Sequence, residues 1–356
     1  MTRFSFLLAS ALLGLTATAQ TPCGSGTPDA KVEGSGSSFR ATKGSSAVYT
    51  GSDYRAAIQA ALDSIGAGQR VVVLASGSIG ASTLTIASGK TFEVCGTINV
   101  GNKSGRGAIE VTNAANVSIP HLTMTGNPYF GLRISGARNL SLGRITMNLS
   151  GGLGIRFDRD RDPSANVKMD VISVTGAGSH AVETWNIDGL AINQVIARNV
   201  GECGLLLQKV TNAKVGLVDG DNVAAGNGYA TLRFANENGK LPNGQYTANV
   251  FVDKVVSRGG GRGIFCVSQS GGAVIERAEL SSNGNNAVLI ENCYNVQIRG
   301  GTVSGGGEVR LSARSEFANN RDISITLAVN NNSVRESPCG QNIKWNISGN
   351  AKKQTC

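Results

Sequence analysis

The chain has 356 residues, a formal net charge of +9 and 48 glycines. That glycine share is about twice the usual ~7%, yet there is no Gly-x-y period, which excludes a collagen. The positive balance favours a polyanion, whether acidic polysaccharide, an anionic surface or extracellular nucleic acid, or serves solubility alone; the partner expected from the whole reading below is acidic polysaccharide, with neither nucleic acid nor a membrane.

Residues 1–19 combine an early Arg3, an apolar centre (Phe6–Leu15) and the small-residue exit Ala17-Thr18-Ala19. This is the pattern of a secretory signal peptide cut before Gln20. The apolar run is too short to span a bilayer, and no second one follows. A secreted, extracellular chain is expected. Residues 20–50 are rich in Gly, Ser and Thr and read as an extended leader.

From Ser52 the pattern changes. Ser52 suits an N-cap, Asp53 suits a first turn, and Ala57, Ile58, Ala61, Leu62 and Ile65 share one face. An amphipathic helix over 52–65 is expected. Three short β-rich runs follow, Arg70–Ala75, Ser82–Ile86 and Thr91–Val94, separated by Gly/Ser turns.

Beyond them a repeat takes over. Each unit has a short alternating run, a turn, a second alternating run and a Gly-rich corner. The unit starts Gly154, His180 and Gly204 lie 26 and 24 residues apart. A fixed period in this range marks a solenoid of stacked coils. The first strands begin near Ala108, Leu132, Ile155, Ala181, Leu205, Ala230, Ile264, Val288 and Val309. A longer gap between Tyr229 and Gly263 marks an insertion, Asn236–Tyr246, expected to project as a loop. Such a stack exposes an apolar first coil, which the helix would cap.

The fold expected is all-β: a single-stranded, right-handed parallel β-helix of about nine to ten coils over 51–330. Residues 331–356 are expected to form a disulfide-tied tail. The segment Asp53–Asp63, followed by Val71-Val72-Val73 and a small-residue turn, resembles the N-terminal cap of the pectate lyase-like superfamily of secreted parallel β-helices. That resemblance implies the architecture. It does not imply the reaction, because lyases, hydrolases, epimerases and adhesins share this scaffold.

Seven cysteines suit an oxidising compartment. We expect pairs Cys23–Cys95, Cys266–Cys293 and Cys339–Cys356, with Cys203 left at a corner, although spacing alone leaves other connectivities open. No His/Cys cluster points to zinc. No cofactor is required; Asp219-Gly220-Asp221-Asn222 leaves calcium open against an ordinary Gly/Asp turn. Asn102, Asn116, Asn139, Asn148, Asn331 and Asn346 head Asn-x-Ser/Thr sites.

Alternation places Leu132, Ile134, Ile155, Phe157 and Val182 inside. It places Arg133, Arg156, Glu183, Gln208 and Arg233 along one outer face, flanked by Asp158, Trp185, Lys209 and the string Arg159–Asp162. His180 sits one step ahead of the Glu183 strand. Guanidiniums pair with uronate carboxylates, and an indole offers a platform for a sugar ring. The expected activity is therefore β-elimination on an acidic polysaccharide by a monomeric enzyme. Arg156 or Arg233 would neutralise the carboxylate, and His180 or Lys209 would act as base. Two rival readings stand beside it. One is a glycoside hydrolase using Asp158 and Glu183. The other is a non-catalytic glycan-binding protein, with His180 a hydrogen-bonded corner residue and the charged rungs a surface network.

Overall fold

The computed structural model describes residues 22–226 and 228–356; the 1–19 segment lies outside them. The described residues wind into a parallel β-solenoid of about 12 turns with one helix. Each middle coil pairs a short strand with a longer one, as in Phe130–Ser135 with Arg138–Leu149. In Val182–Arg198 and Leu205–Asp221 the two run together.

Register is strict because one face of each strand must be buried. One interior row runs Leu132, Ile155, Val182, Leu205, Leu232, Ile264, Val288, Val309 and Val334. All nine are buried. Each removes its apolar surface from water at a gain of about 1.5–3 kcal/mol, and neighbours lie one strand spacing of ~4.8 Å apart. The corners take left-handed backbone, which Asn tolerates better than other side chains. Asn116, Asn139 and Asn166 occupy such positions, and their amides bond in a column.

Helix α1 (Tyr54–Ser64) buries Tyr54, Ala57, Ile58, Ala61 and Leu62. Its N-cap is Asp53, one residue beyond the expected Ser52: the Asp53 carboxylate accepts the Ala56 N–H at 2.9 Å. No described helix is long and apolar enough to cross a membrane.

Both ends carry more β-structure than expected. Ala30–Ser35, Ser38–Lys43 and Ser46–Gly51 form an antiparallel meander where a leader was expected. The first of these strands also pairs in parallel with Arg70–Val73. At the other end, Ser333–Glu336 and Lys352–Gln354 stack in parallel on Glu308–Ser312. These rungs account for a stack longer than nine or ten coils, and they put strands where an extended leader and a disulfide-tied tail were expected.

The insertion also departs from expectation. It folds back instead of projecting: the Tyr246 ring meets Tyr294 at 5.1 Å, and Asn295 Nδ2 donates to Tyr246 O at 2.7 Å. The disulfides are Cys23–Cys95, Cys266–Cys293 and Cys339–Cys356, and Cys203 is a buried free thiol.

Candidate active site

The outer row next to the interior row runs Glu110, Arg133, Arg156, Glu183, Leu206, Arg233, Phe265, Leu289 and Arg310. Four of the five residues expected there share it. Gln208 does not: its place is taken by Leu206, and Gln208 lies two positions on, beside Trp185. The run Leu205-Leu206-Leu207 is apolar on both faces, so alternation carries no direction there. Leu206 points outward yet is buried, packed with Cys203, Phe265, Val267 and Leu289 in a second apolar cluster.

The N-terminal half of the row is a closed charge ladder. Arg133 Nε donates to Asp158 Oδ2 at 2.7 Å, and Arg156 Nε to Asp158 Oδ1 at 3.0 Å. Arg156 also reaches Glu183 Oε2, while Glu183 Oε1 accepts from Trp185 Nε1 at 2.9 Å and Gln208 Nε2 at 3.1 Å. Below them, burial pushes the Glu110 carboxyl up, but hydrogen bonds from Arg106 and the Gly107 N–H, with the charges of Arg106 and Arg133, outweigh it and hold the group low. Every carboxylate oxygen of Asp158 and Glu183 already has a donor. A hydrolytic pair needs one carboxyl to give a proton and the other to activate water or attack, and these two are committed elsewhere. Trp185 lies on the expected side, but it is buried, and Arg159 lies 5.7 Å from its ring.

The reactive-looking groups gather one corner earlier. His180 is buried, and its Nδ1 accepts the Cys203 N–H at 3.0 Å. The other ring nitrogen must then carry the proton, and it lies 3.1 Å from Glu202 Oε2. Burial drives the imidazole pKa down to about 4; the Glu202 charge opposes this, and Arg233 and Arg156 reinforce it. His180 is therefore neutral at neutral pH with its lone pair already used. The expected role as base would need a free lone pair, and here the ring instead presents an N–H to Glu202. The Ser179 hydroxyl donates to the same Glu202 oxygen. Glu202 is thus clamped by two donors with its side chain 29% exposed.

Tyr229 stands edge-on to His180 at 5.3 Å between ring centroids. The Arg233 guanidinium lies 4.8 Å from the Tyr229 ring and 5.0 Å from the Phe265 ring. Burial, then the Glu202 charge, raise the Tyr229 phenol above its usual range, so it keeps its proton. Arg233 Nε is buried without an acceptor. A cleft of about 510 Å³ opens at Glu202 towards the preceding coils, lined by Asn102, Tyr129, Phe130, Gly152, Leu153, Arg156, Ser179, His180, Glu183 and Glu202; Tyr229 and Arg233 are outside that lining. Glu202, Ser179 and Tyr229 went unread because corner residues show no periodicity; the nearest signal was the Gly201-Glu202-Cys203-Gly204 turn beside His180. Lys209, the other expected base, is exposed in a left-handed corner at the opposite edge, among Arg159, Trp185, Asn186 and Asn236.

Larger grooves of about 930 and 680 Å³ lie on the long-strand face around Ser141, Lys168, Ala191 and Lys214. Neither contains a histidine. Asp219, expected as a calcium ligand or a turn residue, accepts from Arg198 Nη2 at 2.8 Å and from Arg258. Its oxygens are occupied by guanidiniums. Among the described residues, Cys23, Glu93 and Cys95 cluster closely enough for a metal, but the two cysteines are joined as a disulfide.

No protein-family model matches the chain, and no curated protein matches it. Solved structures do. The A-module of the Azotobacter vinelandii mannuronan C-5 epimerase AlgE4 superposes with a TM-score of 0.56 at 14% identity, over 86% of this chain and 94% of that one. The AlgE6 A-module from the same organism gives 0.45 at 14% identity, over 85% and 92%. An alginate lyase from Paenibacillus sp. str. FPU-7 gives 0.41 at 13%, over 83% and 97%. The chain shares the β-helix fold with the first of these, as the expected pectate lyase-like architecture requires. Identity this low establishes the fold alone.

Proposed function

We propose that the chain is a secreted enzyme that acts on a uronate-containing polysaccharide by β-elimination. The observation that carries the reading is the corner where clamped Glu202, protonated Tyr229 and the incompletely paired Arg233 meet through His180. Arg233 pairs with the substrate carboxylate and stabilises the charge that develops on it. Glu202 removes the proton on the carbon bearing that carboxylate; the freed electron pair forms the ring double bond, and the bond to the glycosidic oxygen breaks. Tyr229 gives its proton to that oxygen and is reprotonated from solvent, to which Glu202 releases the proton it took. The products are an unsaturated uronide and a new reducing end. His180 and Ser179 orient Glu202.

The likeness to an epimerase module supports uronate chemistry of this kind. Returning the proton to the opposite face, instead of expelling the oxygen, would be epimerisation by the same first step. The three disulfides support folding in an oxidising compartment.

The test is incubation of the protein with polygalacturonate and with alginate in deuterated water. Ultraviolet absorbance of an unsaturated product is expected. Deuterium at the carboxylate-bearing carbon without absorbance would make the chain an epimerase. New reducing ends without absorbance would make it a hydrolase, and no change with retained polymer binding would leave a glycan-binding protein.

A further inference from the structure

The outer row differs in its two halves. On the N-terminal side, Arg133 and Arg156 are each held by carboxylates at 2.5–3.0 Å. On the C-terminal side, the Phe265 ring carries two guanidiniums, Arg233 at 5.0 Å and Arg262 at 4.6 Å from its centroid. Among the described residues neither is in an ion pair. Arg262 donates only to neutral acceptors, Asn286 Oδ1 at 3.2 Å and Gly228 O. Two like charges on one ring repel, and Arg262 is half-buried as well; burial, then the Arg233 charge, lower its pKa, and the opposing charge of Glu291 offsets this only in part. Such an arrangement is costly unless an anion from outside joins it, and a planar guanidinium suits a carboxylate in two-pronged geometry. The strand of Phe265 lies one coil beyond that of Arg233, a step of about 4.8 Å, which is comparable to the length of one sugar residue.

We infer that Arg262, positioned over the buried Phe265 ring, forms a second carboxylate subsite, holding the uronate next to the one that Arg233 holds, so that the polymer runs from Glu202 towards the C-terminal coils. The inference rests on the lyase reading for the position of the first sugar, but its test does not depend on turnover. The N-terminal coils offer no equivalent place, since their guanidiniums are already neutralised.

Equilibrium binding of hexameric galacturonate and mannuronate separates the two ideas. Glu202→Gln protein serves as parent, so that substrate is not consumed. Adding Arg262→Gln is expected to weaken binding at least about tenfold at low salt, the loss of one charge-assisted contact. Arg262→Lys should recover part of it, and Phe265→Leu should weaken binding while keeping the apolar packing. Arg133→Gln should leave affinity within about twofold. Thermal melts of each variant check folding. Unchanged affinity in Arg262→Gln, or an equal loss towards a neutral glucan, would overturn the subsite. If binding depends on Arg262 while the unaltered protein yields no unsaturated product, the subsite stands and the proposed chemistry falls.

Discussion

His180 Nδ1 accepts the N–H of Cys203 at 3.0 Å, and this bond decides what the imidazole can do. Protonating Nδ1 would set two N–H groups against each other in a buried place beside Arg233 and Arg156, with only Glu202 to compensate. The folded chain therefore resists protonation until about pH 4, while an unfolded histidine takes its proton near the ordinary 6.5. Between these values the unfolded state binds more protons, so the folded state loses stability as pH falls. The contribution is complete above pH 6.5 and is lost on the way to pH 4, on the order of 3 kcal/mol. In His180→Asn, which keeps an acceptor for Cys203, this component should vanish. Denaturant melts at several pH values check it: a wild-type minus variant difference that stays flat from pH 6.5 to 4 would show that His180 is not held neutral.

Glu202 is the side chain on which the proposed chemistry turns. Glu202→Gln keeps an oxygen for Ser179 and His180 and removes the charge that takes the proton. Turnover should fall 10²–10⁴-fold, the usual weight of a positioned base, with little change in melting temperature or polymer affinity. Steady-state rates on the best polyuronate, read with a melt of the same sample, decide it. Turnover within tenfold of the parent would move the base elsewhere.

Glu183 should behave in the opposite way. It accepts from Arg156, Trp185 and Gln208 at once. Glu183→Ala strands all three donors and should cost about 3 kcal/mol, near the low end for breaking a buried ion pair because Arg156 is partly exposed. Glu183→Gln should cost less, since it keeps one acceptor. Both should turn over substrate within tenfold of the parent well below the melting point. A Glu183→Gln protein that is fully stable but inactive would return this residue to the chemistry.

How far these roles were legible depends on where each residue sits. Leu132, Ile155 and Val182 were readable because a strand alternates and the buried face admits only apolar side chains. That fixed the neighbours Arg133, Arg156 and Glu183 as a row. The same logic failed at Leu206, where the outer face is itself apolar and carries a second cluster. It also failed at the start of the chain, where Gly and Ser dilute the alternation of Ala30 and Val32. Glu202 and Tyr229 occupy corners whose form is set by backbone conformation and long-range contact, and no local pattern announces them. His180 was visible as one of two histidines, but its tautomer depends on an N–H 23 residues away.

Cys203 connects that corner to a measurable event. Its thiol is fully buried with Leu206, Phe265 and Leu289, and burial pushes its pKa up to about 12. Alkylation needs the thiolate and access, so native protein at pH 8 should resist iodoacetamide. The other six cysteines are paired. Denaturant without reductant should therefore expose one reactive thiol per chain, and its labelling rate should follow the opening of the outer apolar cluster. Because the Cys203 N–H also fixes the His180 tautomer, conditions that open this cluster should abolish turnover together with protection. Intact mass after timed alkylation, read beside residual activity, tests the link. Rapid labelling of fully active protein would show that the thiol lies outside the packed cluster and that the clamp on Glu202 does not depend on it.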